Sequence, residues 1–205
     1  MPDIVLIHGF ATGLNVSVIR RAKGTDAGFR GFRKLIGRGI AKAFRWDVPE
    51  HISFPKAFSP STYLGVYRRE MNAAQDKKTH PALETFLHDE QPRVIVCHSM
   101  GCSLLLSYLV QRPLPASVRH IVFVQADVSV STSLPKPHGV IWHNLYCPWD
   151  PTLLLSAILH HDIRAGLARI KSQNTQNRFT PLFGWNPHTS SIRSQKIANW
   201  TTTLD

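Results

Sequence analysis

The sequence predicts an α/β protein, a three-layer α/β/α sandwich built on a mainly parallel sheet of about six strands. Two observations carry that expectation. Short runs at 4–8, 46–53, 93–98, 120–126, 140–146 and 178–184 read as strands. Segments of helical length alternate with them, near 30–44, 61–76, 82–89, 100–111, 152–169 and 190–201. The chain of 205 residues has the length of one domain, residues 1–205, and is long enough to bury a substantial core.

Taken in order, the first run is Ile4 to Phe10 (IVLIHGF), apolar and ending in His8-Gly9. The following loop, 11–29, is rich in arginine, glycine and phenylalanine towards its end. Over 30–44, Arg30, Lys34, Arg38 and Lys42 recur every four residues, with Phe32, Leu35, Ile36 and Ile40 on another side. That spacing predicts an amphipathic helix with a basic stripe facing solvent. The stretch from Val94 to Leu106 (VIVCHSMGCSLLL) is the most informative. A β-branched run stops at Cys97-His98-Ser99-Met100-Gly101, and a helix-compatible apolar segment follows at once. A serine on so sharp a strand-to-helix turn shows its hydroxyl at the carboxyl end of a sheet, with a helix N-terminus beneath it. The alternative is a serine that only caps the helix.

Beyond the elbow, IVFVQAD reads as a strand ending in Asp127, followed by a loop over 127–139. Val140 to Tyr146 (VIWHNLY) is the next strand, broken by Cys147-Pro148-Trp149-Asp150-Pro151. Asp150 before proline and TLLLSAIL has the form of an N-cap and first helical residue. The stretch 171–178 reads as a loop. Near the end, Gly184-Trp185-Asn186-Pro187-His188 predicts an exposed loop, and TSSIRSQKIANW a final amphipathic helix.

The turn around Ser99 resembles the nucleophile elbow of the α/β-hydrolase family, G-x-S-x-G, with Cys97 standing where that family has its first glycine and Gly101 fitting the second. His8-Gly9 is similar to the family's oxyanion loop. The resemblance extends from residue 4 to about 200, and its specific motifs are the elbow and the HG loop. It implies a reduced, nearly cap-less α/β-hydrolase fold and a triad in the order serine, acid, histidine. Ser99 is then the nucleophile and His188 the base. Asp150 is the favoured acid, with Asp127, one strand earlier, as its competitor. The backbone amides of Phe10 (or Ala11) and Met100 are the expected oxyanion donors. Trp149 and Trp185 adjoin the acid and the base and are candidates to line an acyl pocket, with simple packing as the alternative. His8 reads as a loop histidine bonded to backbone rather than a proton-transfer group. The family's strand order puts the 46–53 strand and the last strand at the two sheet edges, where Pro49 and Pro181 are tolerated.

Composition bounds the function. No apolar run reaches the length of a membrane span, and the chain opens directly on a strand without a basic leader, so a secretory signal is not expected. Three cysteines form no disulfide framework and point to a reducing, cytoplasmic compartment. Neither C-x-x-C nor H-E-x-x-H occurs, so no metal or other cofactor is called for. No repeat is visible. The formal charge of +11 suits an anionic partner. Three functions remain open: a serine hydrolase acting on an ester or thioester, an anionic one if the basic loop faces the site; a non-catalytic protein binding nucleic acid or another protein through its basic surface; and acyl transfer on the same triad.

Overall fold

In the computed structural model, the described residues are 3–9, 15–16, 28–46, 51–52, 60–76, 79–135, 139–172, 174–181 and 186–204. Along the chain run β1 (Ile4–Ile7), β2 (Asn15–Val16), a 3-10 turn (Arg30–Phe32), α1 (Arg33–Gly37), β3 (Ala41–Phe44), β4 (His51–Ile52), α2 (Pro60–Gln75) and α3 (Thr79–Glu90). The second half holds β5 (Val94–His98), α4 (Met100–Leu109), β6 (His120–Val124), β7 (Ile141–Tyr146), α5 (Pro151–His160), β8 (Thr175–Phe179), α6 (Pro187–Arg193) and α7 (Gln195–Thr201). Six strands form one sheet in the order β3-β1-β5-β6-β7-β8, and every neighbouring pair is parallel. Strands β2 and β4 form a separate parallel pair.

Every residue of β1, β5 and β6 is buried, as strands covered on both faces require. Alternate side chains enter two cores. Val5, Ile7, Ile95, Cys97, Ile121 and Phe123 pack with α2, α3 and α4. Ile4, Leu6, Val94, Val96, Val122 and Val124 pack with Phe32, Leu35 and α7 on the opposite face. The three-layer α/β/α expectation therefore holds. Among the described residues no helix is long and apolar enough to cross a membrane.

Several expected elements are corrected. The helix expected over 30–44 stops at Gly37, because Gly39 takes φ +73 and turns the chain back. Ala41–Phe44 then pairs with β1 in the register Ile4↔Ala41 to Ile7↔Phe44. The basic stripe is broken accordingly: Arg38 caps α1, and Lys42 lies in β3 and forms an ion pair with Glu90. In the main sheet this edge strand stands where one was expected at 46–53; of that stretch His51–Ile52 form β4 in the separate pair, and residues 47–50, Pro49 among them, and 53 lie outside the described residues. At the other edge the strand expected over 178–184 is β8 at 175–179, which begins inside the 171–178 stretch read as a loop and ends before Pro181; residues 182–184 lie outside the described residues. The β8 sequence, TQNRF, is polar because an edge strand pairs through backbone and needs no apolar face. The helix expected over 152–169 ends at His160, with His161 left-handed at φ 51. The helix expected over 190–201 is two helices broken at Ser194, whose hydroxyl oxygen accepts the Ile197 amide at 3.3 Å.

Topology positions the site. The chain leaves β1 towards the face that holds α1 and leaves β5 towards the face that holds α4. Two neighbouring parallel strands whose connections depart to opposite faces leave a crevice at their carboxyl ends, where α/β proteins place their ligands. His8-Gly9 and Ser99 stand at that crevice.

Candidate active site

Ser99 occupies the turn between β5 and α4 with φ 52 and ψ −123, a conformation that costs a non-glycine residue about 1–3 kcal/mol. Its hydroxyl makes no capping bond to α4, so the simple N-cap alternative does not describe it. The turn is possible because of close approaches on both sides. A Cβ on Gly101 would lie 2.4 Å from the His8 carbonyl oxygen and 2.6 Å from that of Ile7. One on Gly9 would lie 2.6 Å from the Ser99 Cβ. The HG loop and the elbow are therefore in contact, and both glycines are required by that contact. Cys97 is tolerated in the elbow because it is a small side chain fully buried in the core, where burial pushes its thiol well above the ordinary range. Met100 opens α4, at the end of a helix where backbone N–H groups lack intrahelical acceptors.

Asp150 and His188 meet directly, with His188 Nδ1 2.8 Å from Asp150 Oδ2. Asp150 is fully buried and its acceptor positions are all engaged. Oδ1 accepts the amides of Thr152 (3.0 Å) and Leu153 (3.2 Å), capping α5. Oδ2 also accepts the side-chain amide of Gln125 at 3.1 Å, and that same amide donates to the Gly166 carbonyl at 3.0 Å. A carboxylate so placed requires the Nδ1–H tautomer of His188, which leaves Nε2 with its lone pair. His188 itself lies in the first turn of α6 and is buried, not in an exposed loop. The Asn186-Pro187 pair, an N-cap with proline at the first helical position, was the local signal for that start.

His98, next to Ser99, connects the elbow to this histidine. Its ring centre is 4.6 Å from that of His188, and its Nε2 donates to the His188 carbonyl at 3.0 Å. Ser191 Oγ donates to the same carbonyl at 2.7 Å. Burial, then the neighbouring His188, hold His98 well below the ordinary imidazole range, so it stays neutral and keeps its donor. Sequence reasoning missed the contact of His98 with His188 and that of Gln125 with Asp150. No local pattern marks either one. Among the described residues, Ser99 Oγ and His188 Nε2 form no hydrogen bond with each other.

Asp127 is committed elsewhere. Oδ1 accepts Arg164 Nε at 2.8 Å and Ser156 Oγ at 2.5 Å, and Oδ2 accepts the Tyr67 hydroxyl at 2.9 Å. Its carbonyl accepts Arg164 Nη2 and Ser103 Oγ, both at 2.8 Å. Burial, then the charge of Asp127, push the Tyr67 phenol well above its ordinary range. This network borders a cavity of about 570 Å³ lined by Ser103, Ser107, Ser129, Thr132, His160 and Arg164, and none of Ser99, Asp150 and His188 lines it. Arg164 also explains the early end of α5. Beyond the turn, Val130 N bonds Ile163 O (2.9 Å) and Ala165 N bonds Val128 O (2.7 Å). That pairing aims the guanidinium inward, whereas a continued helix would not.

The remaining expected residues fall as follows. His8 donates from Nδ1 to the Gly9 carbonyl at 2.8 Å and accepts the Trp46 amide at Nε2 (3.3 Å), stacked on the Trp46 ring. It is bound to backbone at both nitrogens. Trp149 is 43% exposed and stands edge-on to Phe179 at 5.5 Å. Phe10, Ala11 and Trp185 lie outside the described residues. No protein-family model matches the chain, and no curated protein matches it in sequence.

Proposed function

We propose that this chain is a serine hydrolase of the α/β-hydrolase type, cleaving a carboxylic ester or thioester through Ser99, His188 and Asp150. The observation that carries the reading is the Asp150–His188 pair at 2.8 Å, linked through His98 to the strained turn of Ser99. In this reading His188 Nε2 takes the hydroxyl proton as Ser99 Oγ bonds to the substrate carbonyl carbon. The carbonyl oxygen becomes an oxyanion held by the Met100 amide and a second amide from the HG loop, Phe10 in this assignment. Each such donor is worth on the order of 3 kcal/mol. Collapse of the intermediate expels the alcohol or thiol, which leaves with the proton from His188, and the acyl group stays on Ser99. Water, deprotonated by the same imidazole, then releases the acid. Asp150 holds the imidazole in one tautomer and stabilises the imidazolium.

Cys97, Cys102 and Cys147 are free and buried, which supports a reducing, cytoplasmic setting. A fluorophosphonate probe tests the reading: it labels the wild type and not Ser99→Ala, and turnover of an activated ester falls roughly 10⁴-fold or more in that variant. Hydrolysis that survives Ser99→Ala overturns it. A second reading, non-catalytic binding of nucleic acid, rests on the exposed Arg30, Arg33, Lys34 and Arg38 around α1. It predicts salt-dependent binding with a steep slope and no probe labelling. Transfer to an alcohol in place of water, read from the products, would make the enzyme an acyltransferase.

A further inference from the structure

Helix α5 buries only a narrow part of its surface. Leu153 and Ser156 are buried, whereas Leu154, Leu155, Ile158 and Leu159 are 46, 45, 69 and 40% exposed. Positions with this spacing lie on one side of a helix, so the four aliphatic chains form a single stripe. Trp149 and Phe179, both about half exposed, stand near its beginning. A contiguous apolar surface of this kind marks an interaction site, unlike scattered exposed leucines.

Charge identifies the occupant. Helix α5 carries no acidic residue and no lysine or arginine. From Val128 to the end, the only carboxylate side chains are Asp150, Asp162 and Asp205, and Asp150 is buried. Over the same stretch Arg169, Lys171, Arg178, Arg193 and Lys196 are all exposed. Arg169 borders the aromatic end directly: its Nε lies 3.3 Å from the Tyr146 hydroxyl, and the Tyr146 ring is 5.9 Å from Phe179. Aliphatic chains on one helix face, aromatic rings at its end and cations beside them are the composition of a helix that lies in a bilayer interface. A second copy docked here would set the same cations against each other across a two-fold axis.

We infer that the exposed face of α5 docks on the surface of an anionic phospholipid bilayer, with Leu154, Leu155, Ile158 and Leu159 entering the headgroup boundary. The docking is independent of the serine chemistry and persists in Ser99→Ala. Flotation of the full chain with vesicles of phosphatidylcholine and phosphatidylserine, three to one, against phosphatidylcholine alone tests it. The chain is expected to float with the mixed vesicles and to stay behind with phosphatidylcholine. Leu155→Ser and Ile158→Ser should each weaken the partition roughly tenfold, and the pair roughly a hundredfold, with circular dichroism and Tm unchanged because both side chains face solvent. Three results overturn the inference: binding that survives the double substitution, equal binding to both kinds of vesicle, or no binding together with a dimer that Ile158→Ser dissociates.

Discussion

Replacing Asp150 by asparagine separates the two roles of its carboxylate. At Oδ1 it accepts the amides of Thr152 and Leu153, at 3.0 and 3.2 Å, and asparagine caps a helix as well as aspartate does. The start of α5 therefore survives. At Oδ2 the carboxylate faces two donors, His188 Nδ1 at 2.8 Å and the Gln125 amide at 3.1 Å, and an NH₂ group there opposes both. The imidazole answers by moving its proton to Nε2, which destroys the lone pair that a base needs. Turnover should fall roughly 10⁴-fold, the scale known for this change in other serine triads, or about 5.5 kcal/mol of barrier. Stability should fall by only about 1–3 kcal/mol, the cost of one buried donor left unpaired. Asp127→Asn should do the reverse. It breaks the buried pair with Arg164 and costs about 3–5 kcal/mol of stability, while turnover per folded molecule stays within roughly tenfold of wild type. Steady-state ester hydrolysis, normalised by fluorophosphonate titration, and urea unfolding read the two effects separately. If Asp150→Asn keeps turnover within roughly tenfold of wild type, or Asp127→Asn alone removes it with the fold intact, the acid has been misassigned.

Other consequences are open to measurement. Gly101→Ala would push a Cβ to within 2.4 Å of backbone at His8 and should destabilise by about 3 kcal/mol in urea unfolding. Gly37→Ala meets nothing within 4 Å at the end of α1 and should add about 0.5–1 kcal/mol. His143 lies 3.0 Å from His120 across β6 and β7; burial, then His120, push it from 6.5 down to about 4. Below pH 6.5 the unfolded chain takes up a proton that the folded chain refuses. Stability should therefore decline as pH falls from 6.5 towards 4. His143→Gln should flatten that decline. His98→Phe removes the donor to the His188 carbonyl and should lower kcat roughly 10- to 100-fold at constant KM, and His98→Gln, which restores a donor, should recover most of it.

Much of this molecule could be read from local pattern. The buried runs IVLI, VIVCH and HIVFV mark central parallel strands because covered strands are apolar on both faces. Ser99 was legible as a strand-to-helix turn, and Asp150 from the proline after it. Residues whose environment is not local were misread. Ala41–Phe44 has the composition of a helix and became a strand because Gly39 ends α1 and β1 offers an unpaired edge. TQNRF has only Phe179 as an apolar residue and no alternating pattern, and it pairs with β7 along the backbone, with the Asn144–Asn177 and Tyr146–Phe179 contacts beside it. Arg164 looked helical until Asp127 supplied a buried partner.

Strand, turn and capping signals reside in neighbouring residues, so the order of amino acids by itself determined the fold class, the strand-to-helix turn at Ser99 and the cap at Asp150. Only the tertiary structure decided which aspartate meets His188. Asp127 and Asp150 follow the adjacent strands β6 and β7 at the carboxyl end of the parallel sheet, and their spacing along the chain does not separate them. The choice falls to packing: Arg164, 37 residues on, folds back to Asp127, and α6 carries His188 to Asp150 across 38 residues. A buried carboxylate must find donors wherever the fold delivers them, and that delivery depends on contacts among distant segments.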